Sequence, residues 1–420
     1  MYHKQVLANG LRLLTIPQPG AKTFTILAMV ATGSRNETRE TNGISHFLEH
    51  MFFKGTAKRP TAFAISSALD KVGGEFNAFT SKEYTGYYAK VDSEHTELAA
   101  DVVSDILLNS KFEQAEIERE RGVVIEEINL YANNPAMHIE DIFEACLYGD
   151  TPAGWDTIGT KENIKKFQRA DFYHYFQDRY QGQNMVIGLA GNFKRQDVEA
   201  VKKIFSRLPG GEKNKPSNFL LKQTAPRLKI KQQATKQTNF SLGVQAYSYH
   251  HKDYEAAKLL GVTLGGSMSS RLFIAVRERR GLAYQVRTEV EGYNDSGYLT
   301  TSVGTSADKI EEAIKVVLSE YKKISREGIS AAELTKAKDF IKGKLALHLE
   351  SSDEFAGWYT KQEVLDQKVA TPEEYWKKIS AVKLVDIKRV AREIFQNNRL
   401  NLAVIGYRIK EDGLKKLLKV

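Results

Sequence analysis

His46-Phe47-Leu48-Glu49-His50 puts two imidazoles and a carboxylate within one short stretch. If residues 42–53 form a helix with Asn42 as N-cap, these three side chains stand at i, i+3 and i+4 and project from one face. Two histidines one turn apart can bind one zinc ion, with Zn–N distances of roughly 2.0–2.1 Å. Glu49 is then held beside the metal without being a ligand, where a general base must be to take a proton from an activated water. The order H-x-x-E-H inverts the H-E-x-x-H of the commoner zinc proteases. A satisfied surface cluster of two histidines and an acid is the plain alternative.

A catalytic zinc needs a third protein ligand and an open position. Residues 115–130 carry a helical pattern with two candidates, Glu126 and Glu127. On a helix they point about 100° apart, so only one faces a site squarely. Glu127 shares its face with Glu120, Val123 and Val124, whereas Glu126 lines up with Arg119 and Gly122 on what reads as an outer face. Glu120 suits either a surface ion pair or a place at the site. Residues 73–81, GGEFNAFTS, read as a turn into a short strand. At a sheet edge such a strand can take up an extended peptide by strand addition. In the interior it would simply bury Phe76 and Phe79.

These residues need a scaffold. The chain has 420 residues, enough for two or three domains with real cores. Apolar residues make up 42% and charged residues 27%, which excludes a wholly disordered chain. No apolar run approaches the roughly 18–20 residues of a membrane span, and the N-terminus shows no signal-peptide core. Cys146 is the one cysteine, so an internal disulfide and a cysteine-rich zinc cluster are excluded. A reducing, cytoplasmic setting is expected. The net charge of +9 is spread among acids with no compact basic block, so neither nucleic acid nor a membrane is expected as a partner.

Two stretches repeat. Residues 171–193 align without gaps on 386–408, matching Asp171 with Asp386, Tyr180 with Phe395, Gln181 with Gln396 and Gly191 with Gly406. Each reads as a helix, a short amide-rich turn and an apolar strand ending at glycine. Residues 86–88 and 297–299 open a second match, a strand leading into a helix at 96–108 or 309–321. Further helices follow at 115–129 and 331–345. The expectation is an α+β protein of two homologous domains, each a mixed, largely antiparallel sheet with helices packed on one face. Domain boundaries are expected at 1–207 and 227–420, with a Pro-, Gly- and Lys-rich linker at 208–226.

The chain resembles the pitrilysin-type inverted-zincin metallopeptidases, as a two-domain member related to the mitochondrial processing peptidase. The likeness runs through His46-x-x-Glu49-His50, the GGEFNAFTSKEYTGYY stretch, Glu127 77 residues past His50, and residues 147–152. In the second half it rests on residues 269–284, with Arg277 and Tyr284 seven apart. The resemblance implies a zinc endopeptidase acting on peptides or unfolded segments. One Zn2+ per chain would be held by His46, His50 and Glu127, with Glu49 as base and Glu120 in a supporting catalytic role. Asn77, Ala78 and Phe79 would lie on the substrate-binding strand, and Arg277 and Tyr284 would contact the substrate backbone. If the helix persists from 277 to 284 both share one face, though Gly281 weakens it. Of two acids that read a basic presequence residue in the processing enzymes, one is matched by Asp141; the other position holds Met137. The second half has no H-x-x-E-H, so one half would be catalytic and the other supportive. Large members carry four such domains, so this chain is expected to form a homodimer, or a heterodimer with a related chain. The alternative is a non-catalytic structural or regulatory subunit; such members typically have broken zinc motifs, and this one is intact.

Overall fold

The computed structural model describes residues 2–214 and 222–420; residues 215–221 of the expected linker lie outside the described residues. In the first half the strands are β1 (His3–Val6), β2 (Arg12–Pro17), β3 (Thr23–Val30), β4 (Glu75–Thr80), β5 (Thr85–Asp92) and β6 (Met185–Gly191). The helices there are α1 (Ile44–Met51), α2 (Ala62–Asp70), α3 (Thr96–Asn109), α4 (Gln114–Asn133), α5 (Pro135–Tyr148), α6 (Lys161–Lys166), α7 (Arg169–Arg179) and α8 (Arg195–Phe205). The second half adds β7 (Arg227–Gln232), β8 (Thr238–Gln245), β9 (Ala283–Gly292), β10 (Gly297–Thr305) and β11 (Leu400–Gly406). Its helices are α9 (Tyr254–Gly265), α10 (Ile310–Glu327), α11 (Ala331–His348), α12 (Ser352–Val364), α13 (Pro372–Ala381), α14 (Leu384–Ile394) and α15 (Glu411–Leu417).

The repeat holds down to its caps. α7–β6 and α14–β11 have the same helix–turn–strand order, and an aspartate at the third helical position caps each helix. The Gln168 amide donates to Asp171 Oδ2 at 2.7 Å, and the Lys383 amide to Asp386 Oδ2 at 2.9 Å.

Each half supplies one sheet. The first is ordered β1-β2-β6-β3-β5-β4 and the second β7-β11-β8-β10-β9. Among the described residues β2–β6 and β7–β11 pair in parallel and the other neighbours are antiparallel. In the first unit a core of Phe24, Ile26, Phe47, Leu48, Phe52, Tyr87, Phe172 and their neighbours joins the sheet to α1, α3 and α7. The second unit has its own core, including Phe240, Leu260, Val317, Tyr321 and Leu402.

The expected fold of two α+β units, each a mixed, mostly antiparallel sheet with helices packed against it, is present, and both sheets are covered on their second face as well. β6, β11 and nearly all of β3 and β8 are buried along their whole length, which requires cover above and below. That cover is exchanged between the halves. The first compact unit is Met1–Ile128, Asp156–Ser217 and Leu345–Thr371; the second is Asn129–Trp155, Asn218–Lys344 and Pro372–Val420. α12 therefore belongs with the first sheet, where Ser352 Oγ meets the hydroxyls of Thr23 and Thr25 at 2.9 and 2.8 Å. A Cβ at Gly188 would collide with Thr360 Oγ1, so glycine permits the close approach. Conversely, α5 packs Ile139, Phe143 and Leu147 with Tyr298, Ala403 and Ile405 of the second unit. The expected boundaries at 207 and 227 follow the repeat, whereas the packed units cut across it, because each sheet buries its second face under the other half's helix. Among the described residues no helix is long and apolar enough to cross a membrane.

Candidate metal centre

α1 is oriented by its apolar side. Ile44, Phe47, Leu48 and Met51, at i, i+3, i+4 and i+7, are all buried. Each such burial is worth about 1.5–3 kcal/mol, so the core decides which face His46, Glu49 and His50 present. Phe47 stacks edge-on to Phe172 at 4.9 Å.

The start of this helix differs from expectation. Asn42 is not its N-cap: the helix begins after Gly43, which has φ 99°, a left-handed value that favours glycine. The capping oxygens come from Glu37. Its Oε2 accepts from the Gly43 amide at 2.9 Å and from Asn42 Nδ2 at 3.0 Å, and its Oε1 accepts from the Ser45 amide at 2.8 Å. Burial raises the Glu37 pKa, and these donors pull against that rise. An acid several residues upstream has taken the role that local spacing assigned to Asn42.

α4 brings the third acid. Ile117, Glu120 and Val124 are its buried residues, and Glu127 continues the same stripe. Val124 is buried as the pattern suggested, but Val123 is 49% exposed, so the expected valine pair is split. Glu126 is exposed.

One potential ligand atom each from His46, His50 and Glu127 lies within 4.8 Å of the others. Glu127 Oε2 is 3.7 Å from His46 Nε2 and 3.4 Å from His50 Nε2. Those separations exceed an ordinary N–H···O bond of roughly 2.7–3.2 Å. They match neighbouring ligand atoms of a tetrahedral zinc site, about 3.3–3.4 Å apart for bonds of about 2.0–2.1 Å. Electrostatics agree. Burial and the neighbouring His50 push the His46 pKa down to about 4, so its ring stays neutral, as a ligand must be. Burial also opposes charge on His50, but Glu120 and Glu127 outweigh it and raise its pKa to about 9. The His50 charge lowers that of Glu127 in turn. Two imidazoles thus hold one proton between carboxylates, and a divalent cation can replace that proton. The donor set fits zinc.

Around the triad sit partners that spacing alone did not assign. Glu120 Oε1 is 2.8 Å from His50 Nδ1, and its Oε2 is 2.6 Å from Lys54 Nζ. Burial would raise the Glu120 pKa; its hydrogen bonds to His50 and Lys54 win and lower it. Glu120 therefore orients His50 so that Nε2 is the nitrogen left free for a metal, and Lys54, one turn beyond His50, is the counter-charge to Glu120. Burial also raises the Glu49 pKa, and Thr80 opposes this by donating a hydrogen bond to Glu49 Oε2 at 2.5 Å.

Among the described residues β4 is an edge strand, paired with β5 alone. Phe76, Ala78 and Thr80 are half-buried on one side, while Asn77 and Phe79 are exposed on the other, so the interior-strand reading is set aside. Asn77 Oδ1 accepts from the Ala78 amide at 2.9 Å, an acceptor that an added strand would replace.

Arg277, Tyr284 and Asp141 belong to the second compact unit. Arg277 and Tyr284 do not share one helix face. Phe273–Glu278 is a single π-helical segment, the chain turns at Gly281 with φ 57°, and Tyr284 already lies in β9. They still meet, with the Arg277 guanidinium 5.0 Å from the Tyr284 ring centroid and Tyr284 77% exposed. Asp141 lies on α5, beside the second sheet. In the second unit Arg271, which follows α9, and Glu333 on α11 form a bidentate pair at 2.6 and 2.9 Å. That pair holds the Glu333 pKa down to about 2.

The geometry separates the two candidate acids. Glu127→Gln is expected to weaken zinc binding sharply, while exposed Glu126→Gln leaves it unchanged. Zinc titration of both variants decides; metal loss in Glu126→Gln alone would reverse the assignment.

Residues 12–161 match the family described as Insulinase (Peptidase family M16), and residues 166–340 match the Peptidase M16 inactive domain. A Bacillus subtilis protein described as an uncharacterized zinc protease is 36% identical over 395 residues, covering 94% of this chain and 96% of that protein. A similarly described protein of Rickettsia felis is 35% identical over 402 residues, covering 95% and 96%. The solved structure of a protease from Helicobacter pylori has TM-score 0.89 and 24% identity, covering 97% of this chain and 99% of that one. A Pseudomonas fluorescens structure described as a peptidase M16 inactive domain has TM-score 0.87 and 20% identity, covering 98% and 99%. At these identities the two structures establish the shared fold.

Proposed function

This chain belongs to the insulinase family of M16 peptidases, and from that premise we propose that it is a zinc-dependent endopeptidase cleaving peptides or unfolded segments. The observation that carries the reading is the intact set of His46, His50 and Glu127 around one point, with Glu49 on the same helix face. Zinc bound there supplies Lewis-acid activation of water and of the scissile carbonyl. Glu49 takes the proton of the attacking water and returns it to the leaving amine. Glu120 keeps His50 in the ligating tautomer. Asn77, Ala78 and Phe79 hold the substrate as an added strand along β4, where backbone hydrogen bonds make the sequence preference loose. Arg277 and Tyr284 hold the substrate backbone and donate to the developing oxyanion. Asp141 without a second acid at Met137 favours a general or bacterial-type processing peptidase over a presequence specialist.

Chelation tests the reading. Cleavage of an internally quenched peptide should vanish when zinc is stripped and return with about one equivalent per chain. A zinc-loaded chain that cleaves nothing in a diverse library of unfolded peptides would point instead to a non-catalytic subunit.

We also place two chains in the working enzyme, as a homodimer enclosing a chamber, with each zinc site completed by Arg277 and Tyr284 of the partner subunit. Mixing Glu49→Gln chains with Tyr284→Phe chains, each impaired alone, should restore part of the activity. One of the two sites in a mixed dimer then keeps both groups. No recovery despite proven subunit exchange would mean completion within one chain or by an unlike partner.

A further inference from the structure

We infer that Thr80 is the positioning residue for Glu49: the hydroxyl at the end of the edge strand holds the carboxylate in the orientation from which it moves the proton. The inference rests on the zinc-peptidase reading above. The bond from Thr80 Oγ1 to Glu49 Oε2 is 2.5 Å, the length of a strong charge-assisted O–H···O contact. No other side chain among the described residues donates to Glu49. With Oε2 engaged, Oε1 is the oxygen left for the attacking water.

Both ends of this bond are fixed. Thr80 pairs with Thr85 across the β4–β5 ladder, and Thr85 Oγ1 donates to the Thr32 carbonyl at 2.9 Å. Thr32 Oγ1 meets the Tyr175 hydroxyl at 2.9 Å, and that hydroxyl meets Ser45 Oγ at 2.7 Å on α1, one turn before Glu49. Thr32, Thr85, Ser45 and Tyr175 are all buried. Strand pairing and these buried hydrogen bonds together tie the strand end to the helix that carries the base. A β-branched threonine adds a restricted χ1, so its hydroxyl direction is pre-set. Glutamate, with several free torsions, has no such restriction of its own. The same strand carries Asn77, Ala78 and Phe79, so substrate docking and base orientation share one rigid element.

The test compares Thr80→Val, which keeps the shape and removes the hydroxyl, with Thr80→Ser, which keeps the hydroxyl. The probe is an internally quenched fluorogenic peptide of about ten residues that the native chain cleaves. Thr80→Val should lower kcat by about 10–100-fold, the scale of a small misplacement of a reacting group. KM and zinc content should stay within about twofold, and Thr80→Ser should recover most of kcat. Thermal melting gives a readout independent of turnover: the Tm shift caused by Thr80→Val should shrink in a Glu49→Ala background, because the two side chains are coupled. Unchanged kcat in Thr80→Val, a serine variant no better than valine, or additive Tm shifts would each overturn the inference. If the valine variant does not fold, Thr80→Ala is judged by the same outcomes. Should Glu49→Gln retain turnover, the base assignment fails, while the melting cycle still decides whether Thr80 holds Glu49.

Discussion

Glu49→Gln is expected to retain about one zinc per chain and to lose peptide hydrolysis by roughly 10²–10⁴-fold or more. Glutamine keeps the size of the side chain and an oxygen that can accept from Thr80, so the site should stay assembled. What it lacks is a group that takes a proton near neutral pH. Glu49 stands one residue before His50 and is not among the atoms that cluster as a ligand set. Removing its charge should therefore leave metal affinity nearly unchanged. Initial rates and metal analysis on one preparation separate the two effects. Near-normal turnover with full zinc would remove Glu49 from the mechanism, and joint loss of metal and activity would make it a ligand.

The second large effect is His50→Ala, which should abolish both metal binding and activity. His50 is the most connected member of the cluster. Its Nε2 faces Glu127 and its Nδ1 is held by Glu120, itself only 6% exposed at the side chain. Losing a supporting partner of a metal ligand typically costs 10–100-fold in affinity, and losing a ligand costs more. The alanine also deprives Glu120 and Glu127 of their shared partner, with Lys54 as the remaining counter-charge beside Glu120. Metal content and hydrolysis should fall together. Full zinc occupancy in His50→Ala would mean that the metal is held elsewhere.

Much of this was legible in the residues, for definite reasons. The i, i+3, i+4 spacing of His46, Glu49 and His50 is a local property of one helix, and the apolar positions 44, 47, 48 and 51 decide that it is a helix with a buried side. The preference for Glu127 over Glu126 came from periodicity on α4, and the repeat from a fixed offset between two segments. What escaped depends on contacts remote in sequence. Glu37 caps α1 from a preceding loop, which no capping rule reaches. The hydroxyl of Thr80 meets Glu49 only because β4 ends beside α1, a matter of strand order and register. The exchange of α5 and α12 follows from sheets buried on both faces, and apolar runs such as β6 do not say what covers them. Arg277 and Tyr284 are paired by the resemblance, and a π-helical segment and a turn, rather than one helix face, bring them together.

Anomalous scattering at the zinc edge would show whether His46, His50 and Glu127 hold one zinc. Crystals of the Glu49→Gln chain are suited to this, because that variant keeps the metal without degrading peptide. One peak per chain is expected, bounded by His46 Nε2, His50 Nε2 and Glu127 Oε2. No peak there, with stoichiometric zinc present in the crystals, would contradict it.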